Sequence, residues 1–181
     1  NSYRKGVNEL FNSLKKEYDL SVVSGDNEGE KDFLIENLPR ETKLLFNKKP
    51  EDKLDVVADY QKENKKVAMI GDGLNDAGAL AKSDVGISLS ENINVFSPAC
   101  DAILDASQFN KIEAFLIASK KGISVIKQSF LLSLCYNVVG LYFAVKGDLM
   151  PVIAAILMPL SSISIVIFTT ISTNLIGKKI K

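Results

Sequence analysis

The sequence predicts an α/β domain with an open parallel sheet, followed by a hairpin of two transmembrane helices. Three observations predict it. Short apolar runs alternate with amphipathic ones through residues 1–121, joined by connections short enough to keep successive elements adjacent. The 22 basic and 22 acidic side chains of the 181 residues cancel, yet they crowd into the first two thirds of the chain. Across residues 128–177 only Lys146 and Asp148 carry charge, side by side in "VKGDLMP".

The elements follow in order. "GVNELFNSLKKEY" sets Val7, Leu10, Phe11 and Leu14 at helical spacing, and "LSVVSGDN" reads as a short strand that breaks at Gly25. "EKDFLIENL" suits a helix and "TKLLFN" a strand. "PEDKLDVVADYQKEN" suits a helix with Pro50 in its first turn and Leu54, Val57, Ala58 and Gln61 facing inward. "KKVAMI" is a strand, "NDAGALAKS" a helix, and "VGISL" and "DAILDA" are the last strands. In such a sheet the working groups sit at the carboxyl ends of the strands.

After that the material changes. "QSFLLSLCYNVVGLYFAV" and "LMPVIAAILMPLSSISIVIFTTISTNLI" are each long enough, at about 1.5 Å per residue, to cross a hydrocarbon core of roughly 30 Å. The expected spans are 128–146 and 149–176, in a membrane region of residues 122–181. Buried core helices are the ordinary alternative, but two uncharged runs this long are uncommon in a domain of this size. Lys120, Lys121 and Lys127 precede the first span and Lys178, Lys179 and Lys181 follow the second, against Lys146 in the turn, so both ends are expected in the cytoplasm. The formal net charge of zero argues against a nucleic-acid partner. Cys100 and Cys135 fit a reducing compartment without a disulfide, Cys100 as a small core residue. The chain opens on Asn1 without a signal peptide and reads as a piece of a longer polypeptide.

The chemistry is concentrated in "VAMIGDGLNDAGALAKSDVGISL". Residues 67–70 form an apolar strand, Gly71 and Gly73 permit a tight turn, and Asp72 protrudes where the strand stops. Asn75 is expected to cap the next helix, with Asp76 in its first turn. Two carboxylates in one small space repel unless a cation lies between them, and a hard ion with few protein oxygen ligands suits magnesium facing a phosphate. Other strand ends supply matching parts: the Ser24 hydroxyl and Gly25 N–H in "SGD", and Lys53 in "PEDK" as a point positive charge. Singly, a D-G is more often a turn and a lysine on an amphipathic helix is more often solvated.

"SGDN", "KPEDK" and "GDGLNDAGALAKSDVGISL" together resemble the later motifs of the haloacid dehalogenase superfamily in the form they take in P-type ATPases. The resemblance implies a partial haloacid dehalogenase-like, Rossmann-like sheet over residues 1–121. It also implies that Ser24, where such pumps more often carry Thr, hydrogen-bonds a phosphoryl group, with Asp26 in the same loop. Lys53 would neutralise phosphoryl oxygens, Asp72 would ligate magnesium, Asp76 would hold the site from close by, and Asn75 would contact the phosphate. These are the positioning and charge-stabilising roles that phosphoryl transfer asks of a protein. The family's nucleophile, an aspartate in D-K-T-G-T, does not occur in the chain, and its strand and the ATP-binding domain are expected upstream of Asn1. Gly78 stands where these pumps commonly have Pro.

"CYNVVG" and "MPLSS" resemble the last two helices of heavy-metal-transporting P-type ATPases. The resemblance implies that Tyr136, Asn137, Met158 and Ser162 help bind the transported ion, and Cys135 could add a thiolate. A thioether favours copper(I) or silver(I) over harder ions, although Met and Ser are also ordinary packing residues in apolar helices. The Cys-Pro-Cys of that family is absent from this chain, and the "FTTISTNLIGKKIK" tail lacks its frequent Asn-Ala-Leu-Arg ending.

The expected function is thus the carboxyl-terminal part of an ATP-driven copper(I) export pump of a bacterial plasma membrane, inactive alone. Its partners would be ATP held mainly by an upstream domain, the metal ion, the bilayer and the rest of the polypeptide. The long helix entering the first span would carry changes at the aspartates to the ion site. A membrane-anchored phosphatase of the same superfamily and a non-catalytic membrane fragment are the alternatives.

Overall fold

The computed structural model describes residues 6–91, 100–147 and 150–180. The chain divides into two compact units, Asn1–Glu113 and Ala114–Lys181, ahead of the 121/122 boundary read from the sequence.

In the first unit, α1 (Val7–Leu14) buries Leu10 at the centre of its apolar stripe. β1 (Ser21–Val23) leads through a 3-10 turn into α2 (Lys31–Asn37), which buries Leu34, and then into β2 (Lys43–Leu45). β1 and β2 pair in parallel with Val22 opposite Leu44. α3 (Pro50–Lys62) follows, its start fixed by Pro50 at the first helical position and by the Asp52 carboxylate, which accepts the Lys49 N–H at 2.8 Å. Its inward face is the one read from the sequence, with Val57 buried and Leu54, Ala58 and Gln61 half-buried.

β3 (Ala68–Gly71), α4 (Ala77–Lys82), β4 (Val85–Ser90) and β5 (Ala102–Asp105) complete the unit. These strands form a second parallel sheet in the order β3-β4-β5, with Gly71 opposite Ser88. The single open sheet read from the sequence is therefore two sheets. Among the described residues β1 pairs only with β2 and β3 only with β4, so each keeps a row of backbone donors and acceptors available to another strand.

α4 is the packing centre. Ala79 and Leu80 are each 1% exposed, between α3 on one side and β4 on the other. Gly86 makes the approach possible, since a Cβ there would lie 2.6 Å from the Leu80 carbonyl oxygen. Asp84, just after α4, ties three elements together: its carboxylate accepts the Lys66 ammonium at 2.8 Å, the Val67 N–H at 3.0 Å and the Gln61 amide at 3.3 Å. The Lys66 hydrogen bond, then those from Val67 and Gln61, hold its pKa down to about 2.

The second unit contains α5, which runs over Ile112–Val145 from the end of the first unit, and α6 (Pro151–Gly177). Both are long and apolar enough to cross a membrane. Ile126, Phe130, Val139, Tyr142, Phe143 and Val145 are all exposed and lie around the whole circumference of α5, a distribution that a water-soluble helix confined to one apolar stripe does not have. α6, with Pro151 at its first position, starts two residues later than the expected span; Asp148, Leu149 and Lys181 lie outside the described residues. The helices run antiparallel, with Tyr136 of α5 hydrogen-bonded to Ser164 of α6. Pro159 sits inside α6 and, having no N–H, cannot complete the ladder bond to the Ala155 carbonyl.

Candidate functional site

The end of β3 is built as a tight loop. Gly73 takes a left-handed φ of 83°, as the turn requires. Asp72 is exposed and folds back: its Oδ1 accepts the N–H groups of Leu74 and Asn75, each at 3.1 Å, and its Oδ2 accepts the Asn75 side-chain amide at 3.3 Å. Asn75 therefore does not cap α4. The cap position falls one residue later, on Asp76, whose side chain makes no capping hydrogen bond.

Asp76 has the opposite environment. It is 8% exposed, and Lys53 Nζ reaches its Oδ1 at 2.7 Å while its Oδ2 accepts the Asp72 N–H at 3.3 Å. Both partners of the ion pair are nearly closed to solvent, so each supplies the charge that makes burial of the other tolerable. Lys53 is thus no solvated helix lysine. Gly71, read from the sequence as a turn residue, serves space instead: a Cβ there would stand 2.7 Å from the Asp76 Cβ and overlap its carboxylate.

The β1 loop is stitched to the start of α3. Ser24 Oγ accepts the Asp26 N–H and donates to Asp26 Oδ2, both at 3.1 Å. The Ser24 carbonyl accepts the Lys48 N–H at 3.0 Å and the Asp26 carbonyl the Asn47 N–H at 2.9 Å. Asn47, at a left-handed φ of 54°, turns the chain there, a role the sequence reading passed over although Asn is among the residues that tolerate that conformation. Lys53, Asp72, Asn75 and Asp76 thus form one connected group, and Ser24 with Asp26 reaches it through the backbone of residues 47–53.

A magnesium ion needs only one or two carboxylates beside water and phosphate oxygens. The exposed Asp72 carboxylate, an oxygen donor at the strand end, fits that requirement; Asp76 stands next to it but is already engaged by Lys53. Among the described residues no three Asp, Glu, His or Cys side chains cluster tightly enough to hold a metal by themselves.

In the second unit Tyr136 and Ser164 share a hydrogen bond of 3.1 Å. Cys135, Asn137, Met158 and Ser162 are exposed instead, and Ser162 donates to the Met158 carbonyl at 3.4 Å. Ser164 went unremarked in the sequence because the register of two antiparallel helices is set by packing that no local pattern encodes.

Residues 2–84 match the family model described as haloacid dehalogenase-like hydrolase, which defines the class of the α/β unit. The resemblance to one group within that class covers most of the chain. It is 35% identical over 161 residues to the "Probable copper-importing P-type ATPase A" of Enterococcus hirae, covering 88% of this chain and 22% of that one. It is 34% identical over 148 residues to a copper-exporting P-type ATPase of Staphylococcus aureus strain JH9, covering 82% of this chain and 18% of that one. A zinc-transporting PIB-type ATPase in its E2.Pi state shares the fold, with a TM-score of 0.72 over all of this chain and 28% of its own, at 18% identity. The chain belongs to the heavy-metal-transporting P-type ATPase family. It spans about a fifth of the length of the curated relatives it matches.

Proposed function

We propose that this chain is the carboxyl-terminal part of an ATP-driven pump that moves copper(I) across a bacterial plasma membrane, with the α/β unit and both flanks of the hairpin in the cytoplasm. The observation that carries the reading is the Lys53–Asp76 pair beside Asp72, a cation and two carboxylates held at one strand end with opposite exposures. An upstream strand bearing the nucleophilic aspartate would bring the phosphoryl group there, and the free edges of β1 and β3 are places where such a parallel strand can pair.

At that position Lys53 offsets charge on the phosphoryl oxygens, and Asp76 keeps the ammonium in place between turnovers. Ser24 exchanges its bond to Asp26 for one to a phosphoryl oxygen, and Asn75 contacts the phosphate from the β3 loop. Asp72, with Asp76 beside it, would hold magnesium, which when bound adds a second positive charge against the phosphoryl oxygens. Positioning and charge account for this chain's share of the reaction. α5, continuous over Ile112–Val145, carries the resulting change to Tyr136 and Asn137, which with Met158, Ser162 and Cys135 offer soft and polar donors to the ion.

Export is the proposed direction. The Staphylococcus aureus relative is named for export and the Enterococcus hirae one for import, so uptake of copper(I) into inside-out vesicles decides the point. The test of the whole reading is Asp72→Ala in the full-length protein. Copper(I)-dependent ATP hydrolysis should disappear, and retained turnover would refute the assignment of the β3 loop.

A further inference from the structure

We propose that the cleft between the start of α5 and the end of α6 binds the headgroup of an anionic membrane phospholipid. Ala114, Ile117, Ala118 and Lys121 from α5 and Ile176, Lys179 and Ile180 from α6 and its final turn line a cavity of about 200 Å³. Its wall is small and apolar, and its two polar side chains are both lysines, exposed and without an ion-pair partner among the described residues.

The charge around it is equally one-sided. Over residues 114–181 the single acidic side chain is Asp148, 27 positions after Lys121 in sequence, whereas Lys120, Lys127 and Lys178 lie near the cleft residues in sequence. The cleft also sits where the apolar run of α6 stops, at Gly177, which is the depth of lipid headgroups if the helix spans the bilayer. An apolar wall that accepts the glycerol and first methylenes, under two lysines that accept a phosphodiester, is the chemistry of an anionic lipid site between transmembrane helices. A zwitterionic headgroup would bring its own cation against the lysines.

The inference rests on α5 and α6 crossing a membrane, and the experiment separates the two. The full-length protein is first extracted with alkaline carbonate; release from the membrane would remove the membrane reading itself. Carbonate-resistant protein is placed in phosphatidylcholine nanodiscs containing phosphatidylglycerol, and bound lipid is read by native mass spectrometry. The expected result is a retained phosphatidylglycerol adduct whose affinity falls about thirtyfold in Lys121→Gln/Lys179→Gln, at the strength typical of two lysines near an anionic surface. The adduct should persist in Lys121→Arg/Lys179→Arg and in Lys127→Gln. Ala118→Phe, which fills the cavity and leaves every charge in place, should also lose it, and this variant decides the matter where the double Gln protein does not fold. Equal retention of phosphatidylcholine, equal loss in Lys127→Gln, or an intact adduct in Ala118→Phe would overturn the proposal.

Discussion

Lys53 Nζ lies 2.7 Å from Asp76 Oδ1, and the two side chains are 13% and 11% exposed. Removing one partner of such a pair strands the other charge away from water. Lys53→Met should therefore destabilise the chain by about 3–5 kcal/mol in urea unfolding. Adding Asp76→Leu should recover much of that stability without restoring ATP turnover, since a repaired core carries no charge for phosphoryl transfer. Recovery of turnover in the double variant would mean that the pair is structural only.

Gly71 and Gly86 both lack room for a methyl group, but against different neighbours. Gly71→Ala presses on Asp76 and Gly86→Ala on the Leu80 backbone, and each should cost about 1–3 kcal/mol. Turnover per folded molecule separates them. It should fall in Gly71→Ala, where the displaced carboxylate loses Lys53, and stay near the parent value in Gly86→Ala.

Asp84 predicts an acid-dependent contribution to stability. Its pKa is lowered from 3.8 in the free group to about 2, chiefly by Lys66 and then by Val67 and Gln61. The unfolded chain binds the proton more readily, so the stabilisation is complete above pH 3.8 and disappears as the pH falls to about 2. Urea unfolding of the parent and Asp84→Asn across that window should give curves that converge toward the acid end. A constant difference between them would exclude Asp84 as the titrating group.

The Tyr136–Ser164 bond joins α5 to α6 inside the apolar stretch. Hydrogen bonds between helices in membranes are typically worth about 0.6 kcal/mol. Tyr136→Phe, Ser164→Ala and the double variant, compared by unfolding in detergent, should show a coupling of about that size. If Tyr136 also serves the ion, Tyr136→Phe should raise the half-saturating copper(I) concentration for ATP hydrolysis more than Ser164→Ala does.

Much of the α/β unit is legible because its signals are local. Pro50 opens α3, Gly73 makes its turn, and the face of α3 bearing Val57 is written in a spacing of three and four. What escaped the sequence is pairwise. The two aspartates ask for counter-charge, which the sequence alone assigns to a metal ion, and the fold adds a second source by bringing Lys53 from 23 positions away onto Asp76. The hydrogen bonds of Asn75 were equally hidden: its backbone N–H and side-chain amide donate to Asp72, which makes the Asx turn, and only the conformation of the β3 loop brings the two together. Ser164 among four serines of α6 is chosen by the neighbouring helix.

Pro159 leaves α6 with a missing rung one residue after Met158 and three before Ser162. Bending at that point breaks no hydrogen bond that the straight helix had made, so the two halves of α6 form a compliant joint rather than a stiff rod. The missing rung spans Ala155 to Pro159, so Met158 and Ser162, tied through the Ser162 hydroxyl, can shift as a pair relative to the first turns of α6. In the proposed pump, softness at that place would let the donor pair move without the helix unfolding.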